Sequence, residues 1–150
     1  FLLGTLLEES NDRAGAISAM KKAIELDPKN ANALNYLGYS LAEDGKSLEE
    51  AERLIKRALE IEPNNGYFLD SLGWTYYKMG RYREAQKQLE KAVELAPNDA
   101  VLLEHLAEIL TKLGKKNEAV QTFRKSLQHA PTSDDKEVGG RVEKRLRELE

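Results

Sequence analysis

The sequence predicts an all-α fold in which one helical hairpin recurs along the chain. Three observations lead to this prediction. The prolines recur at intervals of 35, 34 and 34 residues, at Pro28, Pro63, Pro97 and Pro131. Between them, apolar residues recur at the i, i+3, i+4 and i+7 spacing of one helix face. A glycine divides each interval into two such segments, at a point where a helix can end and the chain can turn.

Residues 66–97 contain the clearest copy of the hairpin. The packing positions of its two segments are Leu69, Leu72, Gly73 and Tyr76, followed by Ala85, Leu89 and Ala92. Gly80 separates the segments, and a glycine adopts the left-handed turn conformation at no steric cost. Because Gly73 and Ala85 are small, the two helices can approach closely at these positions. The stretch therefore predicts a helix, a tight turn and a second, antiparallel helix.

The same positions recur in the other intervals, and this recurrence decides the fold. The first-helix positions match Leu34, Leu37, Gly38 and Leu41 upstream and Leu103, Leu106, Ala107 and Leu110 downstream. The second-helix positions match Ala51, Ile55 and Ala58 upstream and Ala119, Phe123 and Ser126 downstream. The pattern resembles the tetratricopeptide repeat family, whose repeats are helix-turn-helix units of 34 residues. This resemblance implies a right-handed α-solenoid over residues 1 to about 133.

The resemblance divides the chain into five units. A partial repeat at residues 1–30 is followed by a repeat at 31–65 with a one-residue insertion, repeats at 66–99 and 100–133, and a capping helix at 134–150. Phe1 falls where a first helix should already be several residues long, so we interpret the chain as a fragment. We expect residues 1–11 to form the clipped first helix, with Asn11 in the turn position. The apolar face of that helix would promote association through Phe1, Leu2, Leu6 and Leu7.

The last unit departs from the repeat pattern. The polar run at residues 132–135 can cap a new helix. Val138, Val142, Leu146 and Leu149 then share one face at spacings of 4, 4 and 3 residues, which predicts a helix that covers the end of the fourth repeat. Gly139 and Gly140 weaken the start of this helix by about 1 kcal/mol each relative to alanine. The alternative is that the segment begins another repeat.

Composition excludes several classes of function. The net charge is −3 with 33% charged residues, which argues against a surface that follows nucleic-acid phosphates. No run of 18 apolar residues occurs, so we expect no direct membrane contact from this segment. Cysteine is absent, which excludes disulfides and thiolate chemistry and leaves the cytoplasm and the periplasmic side of an envelope both open.

The sequence offers little material for catalysis. The histidines are His105 and His129, and the glycines fall at repeat positions rather than in a phosphate-binding loop. His105 has Glu104 and Glu108 nearby, which is at most a loose metal pair, because a zinc site needs three or four converging ligands. We therefore interpret His105 as a polar residue on a helix surface, and we expect no enzyme activity, no metal and no cofactor.

The resemblance implies a binding surface on the first helices. In this family these helices line a concave groove, and the positions beside the packing residues face it. The matching positions here are Asn35, Tyr39, Tyr67, Asp70, Trp74, Tyr77, Glu104 and Glu108. Aromatic side chains anchor binding sites, and carboxylates around them favour a partner with Lys or Arg. The alternative is that the aromatic rings stack on one another across adjacent helices and complete the core.

We therefore expect a non-enzymatic interaction module or scaffold that holds a peptide or protein segment with basic and apolar residues. Residues 35–39 and 70–74 are also similar to stretches of bacterial tetratricopeptide proteins, including lipoproteins that scaffold envelope complexes. Two alternatives stay open. The chain could self-assemble into a homo-oligomeric scaffold, or it could be an accessory domain of a larger enzyme.

Overall fold

A computed structural model describes residues 13–150 and shows eight α-helices and one short 3₁₀ helix there, without a strand in that range. The helices are α1 (Arg13–Leu26), α2 (Ala31–Asp44), α3 (Leu48–Ile61), α4 (Gly66–Lys78), α5 (Tyr82–Leu95), α6 (Ala100–Lys112), α7 (Lys116–His129) and α8 (Val138–Leu149), with the 3₁₀ helix at Ala130–Thr132. The expected all-α solenoid is confirmed. The predicted helix at residues 1–11, its apolar face and the turn at Asn11 lie outside the described residues.

The hairpins begin and end as their sequence positions dictate. Each first helix starts after an extended residue two positions beyond a proline. The side chain of this residue accepts a hydrogen bond from one or two backbone N–H groups in the first turn of the helix; these residues are Asn30, Asn65 and Asp99. The predicted turn glycines Gly45, Gly80 and Gly114 have φ angles of 71°, 79° and 76°. Only glycine takes this left-handed conformation without strain, so these positions fix where each hairpin turns.

The two helices of a hairpin approach most closely at the predicted small residues. A Cβ atom on Gly73 would lie 2.1 Å from a methyl carbon of Leu89, and one on Gly38 would lie 2.6 Å from the Ile55 side chain. Both distances are shorter than any van der Waals contact. Ala107, which takes the same position in α6, is fully buried. The glycine positions of the repeat pattern are therefore set by the separation of the helices.

The hairpins stack in chain order. The second helix of each hairpin packs on the first helix of the next, so that α3 contacts α4, α5 contacts α6 and α7 contacts α8. Each first helix also contacts the next one, α2 with α4 and α4 with α6, and α6 contacts α8, whereas the second helices make no comparable contacts with each other within residues 13–150. The stack therefore curves towards its first helices. We call the surface formed by α2, α4, α6 and α8 the groove face.

Helix α8 covers the last hairpin. Val138 and Val142 are fully buried with Phe123 of α7, and Gly140, Glu143, Lys144 and Arg147 are exposed. The helix begins at Val138, later than the polar run at residues 132–135 suggested. The reason is that Ser133 accepts a hydrogen bond from the backbone of Asp135, and Asp135 accepts one from the backbone of Glu137, so this run forms a turn of its own. None of the described helices is both long and apolar enough to cross a membrane.

Candidate functional site

The structure brings most of the predicted groove residues to two neighbouring cavities on the groove face. Tyr39, Trp74, Tyr77, Glu104 and Glu108 line an open cavity of about 480 Å³ together with Glu43, Val101, His105, Asp135 and Arg141. We call this the central cavity. Tyr67 and Asp70 line a second cavity of about 430 Å³, which shares Val101 and Asp135 with the first. Asn35 lines neither, and its side-chain oxygen is buried without a hydrogen-bond partner in the described structure.

Trp74 lies at the centre of a chain of stacked rings. Its ring is nearly parallel to that of Tyr77, with centroids 4.4 Å apart, and to that of His105, with centroids 4.3 Å apart. Tyr77 in turn contacts the ring of Tyr82 at 5.6 Å. The indole Nε1–H donates a hydrogen bond of 3.1 Å to Glu43 of α2. Side chains from three successive first helices therefore hold the half-buried Trp74.

His105 forms an ion pair with Asp70, and both side chains are mostly buried. The imidazole Nδ1 lies 2.7 Å from Asp70 Oδ1, with 15% and 12% of the two side chains exposed. The sequence-based interpretation of His105 as a surface residue is therefore wrong, and Asp70 is not a free carboxylate of the groove. Asp70 and Glu104 occupy equivalent positions in their repeats. This equivalence does not indicate that Asp70 contacts His105, the residue after Glu104.

Burial and charge act in opposite directions on His105. Removal from water by itself lowers the pKa of the imidazole, because burial disfavours the charged form. The negative charge of Asp70 and its hydrogen bond favour the imidazolium, and Glu104 adds to this effect, while Arg141 opposes it. The balance raises the pKa of His105 above its ordinary value.

The carboxylates of α6 are paired with arginines of α8. Arg141 donates two hydrogen bonds of 2.8 Å to Glu104 and a third, also of 2.8 Å, to Asp135. Arg145 donates to both oxygens of Glu108 at 2.9 Å. Two carboxylates four residues apart on α6 thus bind two arginines four residues apart on α8. Sequence reasoning missed both arginines, although this matched spacing is visible in the sequence.

A regular pairing scheme runs along the groove face. Asn35, Asp70 and Glu104 occupy the same repeat position, and the latter two bind a cationic group on the next first helix, His105 and Arg141. Asn35 carries no charge and has no such partner among the described residues. Internal ion pairs therefore occupy this repeat position in α4 and α6.

Tyr67 lies at one end of the groove face and is 62% exposed. Its hydroxyl donates a hydrogen bond of 3.0 Å to Asp99, whose other carboxylate oxygen caps the start of α6. This hydrogen bond, with the nearby negative charge of Asp99, raises the pKa of the Tyr67 hydroxyl. Residues 13–150 contain no group of three or more His, Asp or Glu side chains arranged to hold a metal ion. The arrangement is suited to non-covalent binding through aromatic rings and carboxylates.

Two family models match the chain, and both represent tetratricopeptide-type repeats. One is described as tetratricopeptide repeat and matches residues 1–66. The other is described as anaphase-promoting complex, cyclosome, subunit 3 and matches residues 44–126. Comparison with curated proteins gives no significant match.

Several solved structures of MamA are similar to this chain. A crystal structure of MamA has 22% sequence identity and a TM-score of 0.71, covering 97% of this chain and 86% of that one. The MamA RS-1 ArsTM double mutant has 19% identity and a TM-score of 0.73, with coverages of 87% and 73%. MamA MSR-1 C2 has 23% identity and a TM-score of 0.67, with coverages of 85% and 72%. At these identities the likeness shows a shared fold.

Proposed function

Because the chain belongs to the tetratricopeptide repeat family, we propose that it is a non-enzymatic interaction module that binds a peptide or protein segment on its groove face. Stacked repeats create extended concave surfaces of this kind. The observation that carries the proposal is the central cavity, where aromatic rings and carboxylates of three successive first helices converge. This combination offers contact area to apolar groups and negative potential to cations.

The pairing scheme refines the expected partner. Glu104 and Glu108 already bind arginines of α8, and Asp70 binds His105. Glu43 lies in the same cavity, is exposed, and accepts only the indole N–H of Trp74 among the described interactions. We therefore place the partner's Lys or Arg near Glu43, with an adjacent apolar side chain against Tyr39 and Trp74. A surface with this charge disfavours nucleic-acid phosphates.

A random peptide library tests the proposal. The chain is immobilised, bound peptides are selected, and their affinities are measured by fluorescence anisotropy. We expect the selected peptides to combine Lys or Arg with an aromatic or aliphatic residue, and we expect Glu43→Gln to weaken them. Glu60→Gln, an exposed carboxylate of α3 outside the cavity, is the matched control. Absence of enrichment, or enrichment of acidic peptides, contradicts the proposal.

Self-assembly is the second candidate, and one observation favours it. Leu26, Ile61 and Leu95 are 80%, 41% and 46% exposed, and each lies two residues before a proline at the end of a second helix. Exposed apolar residues at equivalent positions form a row along one edge of a repeat stack. Light scattering over a concentration series tests this candidate, and a mass that stays monomeric at all concentrations excludes it.

A further inference from the structure

The imidazole of His105 is in stacking contact with Trp74, the only tryptophan of the chain. The ring centroids of His105 and Trp74 lie 4.3 Å apart, and Nδ1 of His105 lies 2.7 Å from Oδ1 of Asp70. An ionised carboxylate can only accept a hydrogen bond, so Nδ1 carries a proton in both charge states of the histidine. The second proton therefore binds at Nε2 and turns the ring into an imidazolium.

Charged groups from α2, α4, α6, α8 and the turn before α8 lie around this histidine, and those that affect its pKa most are Asp70, Glu104 and Arg141. Helix α4 contributes Asp70, and α6 itself contributes Glu104 and Glu108. Helix α8 contributes Arg141, which is bound to Glu104, and the turn before α8 contributes Asp135. Helix α2 contributes Glu43, which reaches the site through its hydrogen bond to Trp74. Arg141 is thus paired with two carboxylates, Glu104 and Asp135, and the proton on His105 balances Asp70.

We propose that the Asp70–His105 pair is a proton-controlled switch in the groove. In the protonated state, the imidazolium stacks on Trp74 and neutralises Asp70, so the central cavity already contains a cation of its own. When His105 is neutral, the net charge of the groove face is more negative by one unit, and Trp74 is no longer stacked on a cation. A cationic partner then meets less competition. The switch itself needs no partner, and only its effect on binding rests on the proposed function.

The sole tryptophan makes the switch directly measurable. An imidazolium in contact with an indole quenches its fluorescence more strongly than a neutral imidazole does. We therefore expect the fluorescence of Trp74 to rise with pH in a single transition between about pH 5 and about pH 9, with a midpoint above the ordinary histidine value of about 6.5. The raised pKa of His105 agrees with this direction.

The two histidines of the chain supply matched variants. His105→Gln should abolish the fluorescence transition, whereas His129→Gln should leave it unchanged, because His129 lies at the end of α7 and does not line the groove cavities. Asp70→Asn should move the midpoint to lower pH. A transition that persists in His105→Gln, or a wild-type fluorescence that does not change over this range, overturns the proposal.

A second measurement leaves both His105 and Asp70 unchanged, so it does not depend on the folding of their variants. The Cε1–H resonances of the two histidines are followed by NMR as the pH changes, and His129→Gln assigns them. A His105 midpoint above about 6.5 supports the switch, and a midpoint at or below that value overturns it.

Peptide binding separates this proposal from the proposed function. The probe is a short peptide of alternating leucine and arginine with an acetylated N-terminus and an amidated C-terminus, so its own charge is constant over the range. The wild type should bind it about threefold more tightly at pH 8 than at pH 6, the size expected for one unit charge several ångströms away in water. His105→Gln should remove this pH dependence. A fluorescence transition without peptide binding supports the switch and contradicts the proposed function. Peptide binding that does not change with pH, without a fluorescence transition, supports the proposed function and contradicts the switch.

Discussion

The guanidinium of Arg141 in α8 donates two hydrogen bonds of 2.8 Å to the carboxylate of Glu104 in α6. Only 9% of the Glu104 side chain is exposed, so this carboxylate has little access to water as an alternative partner. A carboxylate that the sequence assigned to ligand binding thus joins the capping helix to the last repeat. Arg141 also binds Asp135, so the same guanidinium joins the turn before α8 to the last repeat.

Replacing Arg141 should therefore destabilise the fold. Arg141→Met leaves the carboxylate of Glu104 buried without its partner, and we expect a loss of about 1–3 kcal/mol in the free energy of unfolding. Urea unfolding followed by circular dichroism measures this loss. The additional change Glu104→Gln should recover part of it, because the buried charge is then removed.

Arg124 provides the control for that experiment. It pairs with Glu150 at 2.9 Å, but 60% and 45% of the two side chains are exposed. An exposed ion pair contributes little, so Arg124→Met should change the free energy of unfolding by less than about 1 kcal/mol. Equal losses in Arg141→Met and Arg124→Met would show that burial of Glu104 does not determine the effect.

The glycines of the chain allow a test of helix packing. Gly73→Ala places a methyl group 2.1 Å from the Leu89 side chain and 3.2 Å from the backbone oxygen of Ala85, so we expect a loss of about 1–3 kcal/mol from overpacking. Gly140→Ala in α8 meets no atom within 4 Å. Alanine is favoured over glycine in a helix, so this control should be more stable than wild type by about 0.5–1 kcal/mol. Thermal melting of both variants checks the opposite signs.

The fold was predictable from sequence because every repeat solves the same packing problem. Positions such as Gly73 and Gly80 recur since the same helix separation and the same left-handed turn recur, and this makes the pattern visible without any structure. The groove residues were placed on the correct helices for the same reason. The partners of these residues were not predicted, because Asp70 pairs with His105 and Glu108 pairs with Arg145, and each pair joins two different units of the stack. Such contacts depend on the stagger between neighbouring helices, which a repeat pattern does not specify.

The Asp70–His105 pair should make stability depend on pH. The pKa of His105 is higher in the folded protein than its ordinary value, so the folded state binds the proton more tightly than the unfolded state does. The stabilisation is therefore fully present below about pH 6.5 and is lost as the pH rises through the pKa of folded His105. Urea unfolding at several pH values should show the difference between wild type and His105→Gln shrinking as the pH increases. If the difference in unfolding free energy between the two proteins grew with pH, the folded state would bind the His105 proton less tightly than the unfolded state, which contradicts this prediction.

Trp74 should contribute to both folding and binding, and its contacts allow the two to be separated. Trp74→Ala removes the ring that Tyr77 and His105 stack on, so we expect a loss of about 2–4 kcal/mol in the free energy of unfolding. This loss is smaller than the largest losses known for fully buried aromatic residues, because Trp74 is only half-buried. Trp74→Phe keeps an aromatic ring but removes the hydrogen bond to Glu43, and it should cost only about 1 kcal/mol. Circular dichroism measures both losses, and fluorescence anisotropy measures the affinity for a selected peptide. If Trp74 anchors the partner, Trp74→Ala weakens binding by about 2 kcal/mol or more at a temperature where the variant is still folded. If its role is packing alone, the folded variant binds unchanged, and the groove residue that carries the partner must be sought among its neighbours Tyr39 and Glu43.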